Sequence, residues 1–310
     1  MNLLVSMRYL VALDEHKHFG RAAQASHVTQ PALSNAIRAL EEDLGMAVVK
    51  RGRTFIGFTP EGERLLQSAR RMLREEALLR EELGQAGDSV HGRLILGVVP
   101  TAEPVAARFA AQLHSLHPGI TPVVRSLSSQ EIEHGLDDLA LDMGLGFLSR
   151  QRTGLRPWQT LPVYEEQYFL VRQNTKSGSR LRMAEPIRWN EAASLPLCLL
   201  TPEMHHRSIV DEVFAGSGAQ AQPMLETNSL LTLALSAVGT PVCSIMPGAL
   251  LDLVRGYGEL QAHPLIDPQL RTPMGFMVLP VDRFSRPLQA ALALAQAPSW
   301  LQQIQALGAH

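Results

Sequence analysis

The chain has 310 residues, enough for about two domains of roughly 150 residues each. Its composition, 45% hydrophobic and 19% charged with a net charge of −2, is that of a soluble globular protein with a sizeable core. No apolar run reaches about 18 residues, so a membrane-spanning helix is not expected, and residues 3–14 predict an amphipathic first helix rather than an export signal.

Residues 19–44 are typical of a helix-turn-helix. A short helix at 20–25 precedes a turn at 26–29 and a second helix that starts at Gln30. Thr29 is a suitable N-cap for that helix, and Pro31 falls where a missing N–H has little cost. One face of the second helix is apolar, with Leu33, Ile37, Leu40 and Leu44. The other carries side chains of the types that reach bases and phosphates in a major groove, namely Gln30, Ser34, Asn35 and Arg38. Thr29 and Pro31, at the start of the same helix, belong to the predicted DNA-binding set as well. An ordinary helical hairpin would show the same pattern, so this stretch alone leaves DNA binding open.

The following segment, 47–59, predicts a short β-hairpin, the wing of a winged helix-turn-helix. Its apolar residues are interrupted by Gly52 and Gly57, and Arg51 and Arg53 fall at its tip. These arginines could contact phosphate or enter a minor groove, although solvation alone would also explain them. Residues 1–60 carry seven Lys and Arg against five Asp and Glu, a mild basic bias that fits a local DNA contact.

Residues 61–86 predict one long helix with a heptad seam. The seam consists of Leu65, Ala69, Met72, Glu76, Leu79, Leu83 and Ala86. Such a seam could pack on its own domain. We favour a partner helix from a second copy, because the preceding domain is small and offers no large apolar partner.

From residue 93 onward, short apolar strands alternate with amphipathic helices, which indicates a parallel α/β sheet. The alternation resumes after Pro162, so the segment builds two α/β units. A single C-terminal helix is predicted over residues 285–307.

Several of these segments together resemble the LysR-type transcriptional regulators. The resemblance rests on Ala22–Ala23, the run from Thr29 to Ser34, Ile37, Leu40–Glu41, Leu44–Gly45, Arg51, and the run from Thr59 to Gly62. Two positions depart from the family pattern: Asn35 replaces a frequent basic residue, and Val48–Val49 replace the usual Leu-Phe.

The resemblance implies an α/β fold class with three parts. These are a winged helix-turn-helix at 1–60, a linker dimerisation helix at 61–87, and a two-lobed effector domain at 88–310, like type 2 periplasmic binding proteins. Lobe I would span about 92–163 and 268–300, and lobe II about 164–267, with crossings near 162–166 and 263–268. The resemblance further implies a tetramer, a dyad operator, possible contact with RNA polymerase, and activation more often than repression.

Small polar residues follow several strands where loops enter helices, the edge at which open α/β sheets bind ligands. These candidate effector-binding residues are Thr101, Ser128, Ser129, Thr201 and Asn228. Hydroxyls and free N–H groups at converging helix N-termini suit a small organic anion. Each residue could equally be an N-cap, and Ser128 with Glu131 forms a capping box.

Other chemistry has little support in the sequence. Cys198 and Cys243 lie in apolar runs without metal or redox spacing, and they are expected to be buried thiols in a reducing cytoplasm. The pair His205–His206 lacks further ligands at usable spacing, which favours a surface or pocket-rim role. We therefore expect no metal, no cofactor and no catalytic centre.

These patterns predict a cytoplasmic, effector-controlled, DNA-binding transcriptional regulator. The alternative is a solute-binding protein or α/β enzyme whose N-terminal region serves only dimerisation. The missing export signal and catalytic constellation argue against that alternative.

Overall fold

The computed structural model describes residues 2–50, 52, 54–83, 90–149, 158–174 and 178–308. The chain forms two compact units, one of residues Met1–Ser89 with Asp137–Ala140, the other of Val90–Leu136 with Leu141–His310. Within the described residues, no helix combines the length and apolar character needed to cross a membrane.

The first unit is a small helical domain with a two-stranded hairpin. Its elements are α1 (Leu3–His16), α2 (Phe19–Ala25), α3 (Gln30–Leu44), β1 (Val49–Lys50), β2 (Gly57–Phe58) and α4 (Pro60–Glu82). β1 and β2 pair antiparallel. The apolar face of α3 packs into a core with α1 and α2, and Leu10, Leu33 and Leu40 are fully buried there.

Local signals fix the ends of α3 and the approach of α4. Thr29 Oγ1 accepts the N–H of Ala32 at 3.4 Å as the N-cap, and Gly45 ends the helix in the left-handed region with φ of 65°. A Cβ at Gly62 would lie 2.1 Å from the carbonyl oxygen of Val48, so the first turn of α4 can approach the hairpin only with glycine there.

The long helix α4 divides into two parts. Leu66 and Ala69 are buried in the core of the first unit, whereas Met72, Leu79 and Leu83 are exposed. The expectation that this helix finds no apolar partner in its own domain is therefore wrong for its first half, because α1 covers that part. Glu76, the polar member of the predicted seam, is paired with Arg8 at 2.8 Å, and Ala86 lies outside the described residues.

The second unit contains two lobes. Lobe I holds β3 (Gly92–Val98), α5 (Glu103–Leu116), β4 (Ile120–Ser126), α6 (Ser129–Asp137), β5 (Met143–Phe147), β6 (Gln159–Glu166), β14 (Thr272–Val278), α10 (Arg286–Ala295) and α11 (Pro298–Gly308). Lobe II holds β7 (Tyr168–Gln173), β8 (Arg182–Met183), β9 (Ile187–Arg188), α7 (Trp189–Ala192), β10 (Leu197–Leu200), α8 (His205–Gly216), β11 (Leu225–Thr227), α9 (Leu230–Leu235), β12 (Cys243–Pro247) and β13 (Leu260–Ile266).

Each lobe is built on a mixed sheet. The order in lobe I is β4-β3-β5-β14-β6, and that in lobe II is β11-β10-β12-β7-β13-β8, with β9 also pairing with β13. The first three strands of lobe I are parallel, while β14 is antiparallel to both β5 and β6. The predicted parallel sheet is thus correct only in part, because the strands that cross between lobes enter in the opposite direction.

The chain passes between the lobes at Gln167 and between Ile266 and Thr272, beside the predicted crossings near 162–166 and 263–268. The predicted single C-terminal helix is wrong. It is two helices, α10 and α11, since Pro298 cannot continue α10 and instead begins α11.

Candidate functional site

The polar face of α3 is the first candidate site. Among the predicted DNA-binding residues, Thr29, Gln30, Pro31, Asn35 and Arg38 are exposed and Ser34 is half-buried. Arg51 and Arg53 lie outside the described residues. Thr29 is also the N-cap, so its hydroxyl is partly engaged with the helix backbone.

A groove separates this face from the hairpin. It has a volume of about 200 Å³, and Ser34, Arg38, Lys50 and Thr54 lie along it. Lys50 is exposed and was not among the predicted DNA-binding residues. Its position at the end of a hairpin strand, next to the two arginines of the predicted tip, is the sequence feature that indicates a DNA contact for Lys50.

A buried carboxylate joins α3 to the hairpin. Glu41 is only 8% exposed, and its Oε1 accepts the backbone N–H of Val48 at 2.8 Å and of Val49 at 3.0 Å. Both valines are buried in the core. The replacement of the usual Leu-Phe by Val48–Val49 is therefore a change of core packing. Glu41 therefore fixes the spacing between the polar face and the hairpin.

The second candidate site is a cleft between the lobes, with a volume of about 640 Å³. Four of the five predicted effector-binding residues line it, namely Thr101, Ser128, Ser129 and Asn228. Thr201 does not. It is half-buried, and its Oγ1 donates to the carboxylate of Glu203 at 2.7 Å.

Lobe I contributes hydroxyl groups to the cleft. Thr101 follows β3 and is 2% exposed, and among the described residues neither its Oγ1 nor Ser129 Oγ has a hydrogen-bond partner. Ser128 instead closes the predicted capping box. Its N–H donates to the Glu131 carboxylate at 2.8 Å, and its Oγ accepts the Glu131 N–H at 3.2 Å. Thr101 and Ser129 are thus the lobe I hydroxyls of the lining that have no hydrogen-bond partner among the described residues.

Lobe II contributes the N-terminus of α8. No side chain caps its first turn, which starts after Met204, and Met204, His205 and His206 place this positive end of the helix dipole in the cleft wall. Asn228 is exposed and lies just before Ser229, the N-cap of α9. This arrangement offers backbone N–H groups to an anion.

The two histidines that open α8 differ in environment. His205 lines the cleft, with its ring centroid 4.9 Å from that of Phe147 of lobe I. His206 also lines the cleft but is only 4% exposed, so the surface or rim role predicted for the pair is wrong for this residue. Burial, followed by the proximity of His205, lowers the pKa of His206 to about 3, which keeps its imidazole neutral.

The described lining of the cleft contains two carboxylates, Glu131 and Glu203, and neither lysine nor arginine. Arg207 lies next to the lining but is buried and committed elsewhere. It donates to Asp211 at 2.8 Å, to Glu226 at 2.6 Å and to the carbonyl of Leu200 at 2.7 Å. Backbone N–H groups at helix termini and neutral polar side chains are therefore the hydrogen-bond donors that the described lining offers to an anion.

A cluster of polar side chains occupies the junction between the lobes. Glu166 is 1% exposed and accepts the N–H of Ala249 at 3.2 Å and the hydroxyl of Tyr164 at 3.3 Å. Burial raises the pKa of Glu166 to about 7 in spite of these bonds. Tyr168 Oη lies 3.0 Å from Thr272 Oγ1, so a hydrogen bond links the two crossing segments.

Both cysteines are buried in lobe II, as predicted. Cys198 pairs in register with Ser244 on the neighbouring strand, so Cys243 has the opposite orientation, and the two thiols belong to separate apolar clusters. Burial raises the pKa of each thiol.

Two family models cover most of the chain. The model described as "Bacterial regulatory helix-turn-helix protein, lysR family" matches residues 4–63, and that described as "LysR substrate binding domain" matches residues 87–298. A hydrogen peroxide-inducible genes activator of Dickeya chrysanthemi is 30% identical over 71% of this chain and 78% of the relative. The DNA-binding transcriptional dual regulator OxyR of Escherichia coli K12 is 27% identical over 88% of each chain.

Solved structures share the fold. A full-length OxyR variant from Pseudomonas aeruginosa superposes with a TM-score of 0.73 at 23% identity, covering 94% of this chain and 96% of that one. Full-length CbnR complexed with its target DNA gives a TM-score of 0.63 at 18% identity, covering 97% of this chain and 99% of that one.

Proposed function

The chain belongs to the LysR family of bacterial transcriptional regulators, and on this basis we propose that a small organic acid in the interlobe cleft controls its binding to DNA. Members of this family are transcriptional regulators and not enzymes. They bind operator DNA and effectors, and they form oligomers.

For DNA recognition, we assign the exposed face of α3 to the major groove and Lys50, with the hairpin, to the flanking phosphates. Gln30 and Asn35 can form paired hydrogen bonds with base edges, whereas Arg38 and Lys50 suit phosphate oxygens. The groove between α3 and the hairpin supports this division, because Glu41 holds the two elements at a fixed spacing.

For effector binding, the proposal rests on one observation: both lobes contribute polar groups to the same cleft. Lobe I presents the unpartnered hydroxyls of Thr101 and Ser129, and lobe II presents the uncapped N-terminus of α8. A carboxylate bound between them would accept hydrogen bonds from both lobes and would favour the closed arrangement. Thr201 is not included, because its hydroxyl is directed to Glu203.

For assembly, we assign the exposed apolar residues Met72, Leu79 and Leu83 of α4 to a helix pair between two copies. A tetramer would then place paired heads on a dyad operator in the cytoplasm. A ligand-dependent change between lobes would alter the spacing of these heads and activate transcription through promoter bending or polymerase contact.

The names of the relatives raise a second candidate signal, hydrogen peroxide. A thiolate is the species that reacts with peroxide, and burial in apolar surroundings disfavours it. Cys198 and Cys243 are both buried and have opposite orientations on adjacent strands. A disulfide between them would require the sheet to come apart, so we favour a bound ligand over thiol oxidation.

The test combines DNA binding with ligand binding. The purified protein should retard its own upstream DNA in a gel-shift assay, and a thermal-shift screen of organic acids should find compounds that raise the melting temperature. A ligand at 100 times its Kd adds about 2.7 kcal/mol to the free energy of unfolding. Thr101→Val and Ser129→Ala should lose this response and still bind DNA. A response that both variants retain would place the effector elsewhere.

A further inference from the structure

His206 is a buried polar side chain with no hydrogen-bond partner among the described residues. It is 4% exposed, lines the cleft, and neither Nδ1 nor Nε2 has a partner. One side of the ring is occupied by Tyr168, whose centroid lies 5.4 Å away. Its neighbour Arg207, by contrast, donates hydrogen bonds to Asp211, Leu200 and Glu226 of lobe II.

Buried polar atoms are nearly always hydrogen-bonded, and leaving one unpaired destabilises the fold. An imidazole cannot avoid this by charging here, because burial holds the pKa of His206 at about 3. A neutral imidazole has one N–H donor and one nitrogen acceptor. The wall of the cleft therefore contains one donor and one acceptor that have no partner among the described residues.

The remaining polar side chains of the described lining carry hydrogen-bond acceptors and no positive charge, and Gln130, Ser208 and Asn228 among them can also donate. Glu131 and Glu203 are carboxylates, and the described lining contributes no lysine or arginine. The hydroxyls of Thr101 and Ser129 can act in either sense. These carboxylates would repel a second negative charge on the ligand, whereas an N–H or O–H group on the ligand could donate a hydrogen bond to them.

We propose that His206 determines the specificity of the cleft, and that the effector is a carboxylic acid bearing an N–H or O–H donor, as in an amino acid or hydroxy acid. This inference rests on the proposed function and narrows its ligand class. The carboxylate occupies the N-terminus of α8, and the added donor pairs with the acceptor nitrogen of His206. An unsubstituted acid leaves that nitrogen unpaired, and a dicarboxylic acid adds a charge beside Glu131 and Glu203.

The variant His206→Phe separates this role from a structural one. Phenylalanine keeps a ring against Tyr168 and removes two unpaired buried atoms, so the melting temperature of the ligand-free protein should stay the same or rise. Affinity for a donor-bearing acid should fall about tenfold or more, the usual effect of one lost hydrogen bond to a buried partner.

His263→Phe is the matched control in the same lobe. His263 is 7% exposed, but its Nε2 accepts from Arg172 at 3.0 Å and its Nδ1 lies 2.7 Å from the Glu185 carbonyl. Its loss should lower the melting temperature and leave the ranking of ligands unchanged.

The probes are carboxylic acids of three to eight carbons, each in unsubstituted, 2-hydroxy, 2-amino and dicarboxylic form, measured by titration calorimetry on the full-length protein. We expect a hydroxy or amino form to bind about tenfold or more tightly than its unsubstituted counterpart in the parent, and this margin to disappear in His206→Phe. Tightest binding by unsubstituted or dicarboxylic acids would overturn the inference and leave the proposed function intact. So would a His206→Phe protein that loses stability but keeps its ligand ranking. Binding of no acid by the parent protein would reject the proposed function itself.

Discussion

The carboxylate of Glu41 accepts the backbone N–H of Val48 at 2.8 Å, which joins the last part of α3 to the first strand of the hairpin. The same oxygen accepts the N–H of Val49 at 3.0 Å. Because α3 carries the polar face and the hairpin carries Lys50, a single buried side chain sets the spacing of two surfaces assigned to one DNA duplex.

The substitution Glu41→Ala should therefore affect both stability and DNA binding. It leaves two buried N–H groups without a partner, and we expect a loss of about 2–3 kcal/mol in the free energy of unfolding of the first unit. Urea denaturation followed by circular dichroism would measure this. Glu42→Ala, at the exposed neighbouring position, should change the value by about 0.5 kcal/mol or less. Equal effects of the two substitutions would rule out the anchoring role of Glu41.

Two substitutions on the polar face of α3 should weaken DNA binding in different ways. Arg38→Ala should reduce affinity for all sequences and lower the slope of log K against log salt by about one unit, if its side chain neutralises one phosphate. Gln30→Ala should cost about 1–3 kcal/mol at the operator only. Fluorescence anisotropy at several salt concentrations distinguishes the two effects. Unchanged operator affinity in both variants would exclude α3 as the recognition helix.

The exposed apolar residues of α4 should be required for assembly. Met72 and Leu79 are 44% and 53% exposed in the single chain. Changing both to Asp would bury charge in the proposed helix pair, which is strongly unfavourable. Sedimentation should then give a smaller species that no longer binds the operator. Ala77→Asp, an exposed control on the same helix, should keep the parental mass. A parental mass for the double variant would place the interface elsewhere.

The buried carboxyl of Glu166 should make stability depend on pH. Its pKa is raised from 4.5 to about 7, so between these values the folded chain retains a proton that the unfolded chain has released. Its contribution to the free energy of unfolding is thus fully present below pH 4.5 and is lost as the pH rises through about 7. His206, with a pKa lowered from 6.5 to about 3, acts in the opposite direction between those two values.

Comparison with Glu166→Gln isolates this contribution, since glutamine can accept from Ala249 and donate to Tyr164. The variant should match the parent near pH 4.5 and exceed it above pH 7 by on the order of 3 kcal/mol. Calorimetric melting across this range checks the sign. Glu165→Gln, which removes a carboxylate from an exposed ion pair with Arg271 at 3.4 Å, is the control for the same substitution on the same strand. A constant difference at all pH values would mean that Glu166 does not titrate.

The two buried thiols should be dispensable for regulation. Cys198→Ala and Cys243→Ala should keep the ligand response and DNA affinity of the parent, with only the modest stability loss of a small cavity. Mass spectrometry of the folded protein treated with peroxide should find both thiols reduced. Oxidation of either cysteine, coupled to a change in DNA affinity, would instead support peroxide control.

The elements of the chain were predictable where local signals agree. Thr29, Pro31 and the apolar spacing from Leu33 onward place α3 correctly, because caps and periodicity depend on nearby residues. The apolar pattern of residues 285–307 alone predicts one helix, and Pro298 divides that stretch into α10 and α11. The antiparallel strands at the junction were not predictable, since their direction depends on where the chain re-enters a sheet from the other lobe.

In the candidate site, too, local sequence signals predict some residues correctly, whereas residues whose position depends on distant parts of the chain are missed. Strand ends marked Thr101, Ser129 and Asn228 correctly as residues of the cleft lining, because topology brings those ends together. The position of His206 in the cleft wall could not be read from its sequence neighbours, because its burial depends on Tyr168, which is distant in sequence. Glu41 was visible only as part of the family pattern, and its role depends on where the hairpin folds back.

The hydrogen bond between Tyr168 and Thr272 has a mechanical consequence. It joins the two segments that connect the lobes, and Thr272 is also the register partner of Glu166 on β6. Because the two connections are bonded to each other, we expect them to bend together, which leaves the lobes a single degree of freedom. Any molecule that draws the walls together then produces the same displacement. A compound that binds the cleft in place of the natural effector should therefore act as an agonist, and inhibition would require a molecule that holds the lobes apart.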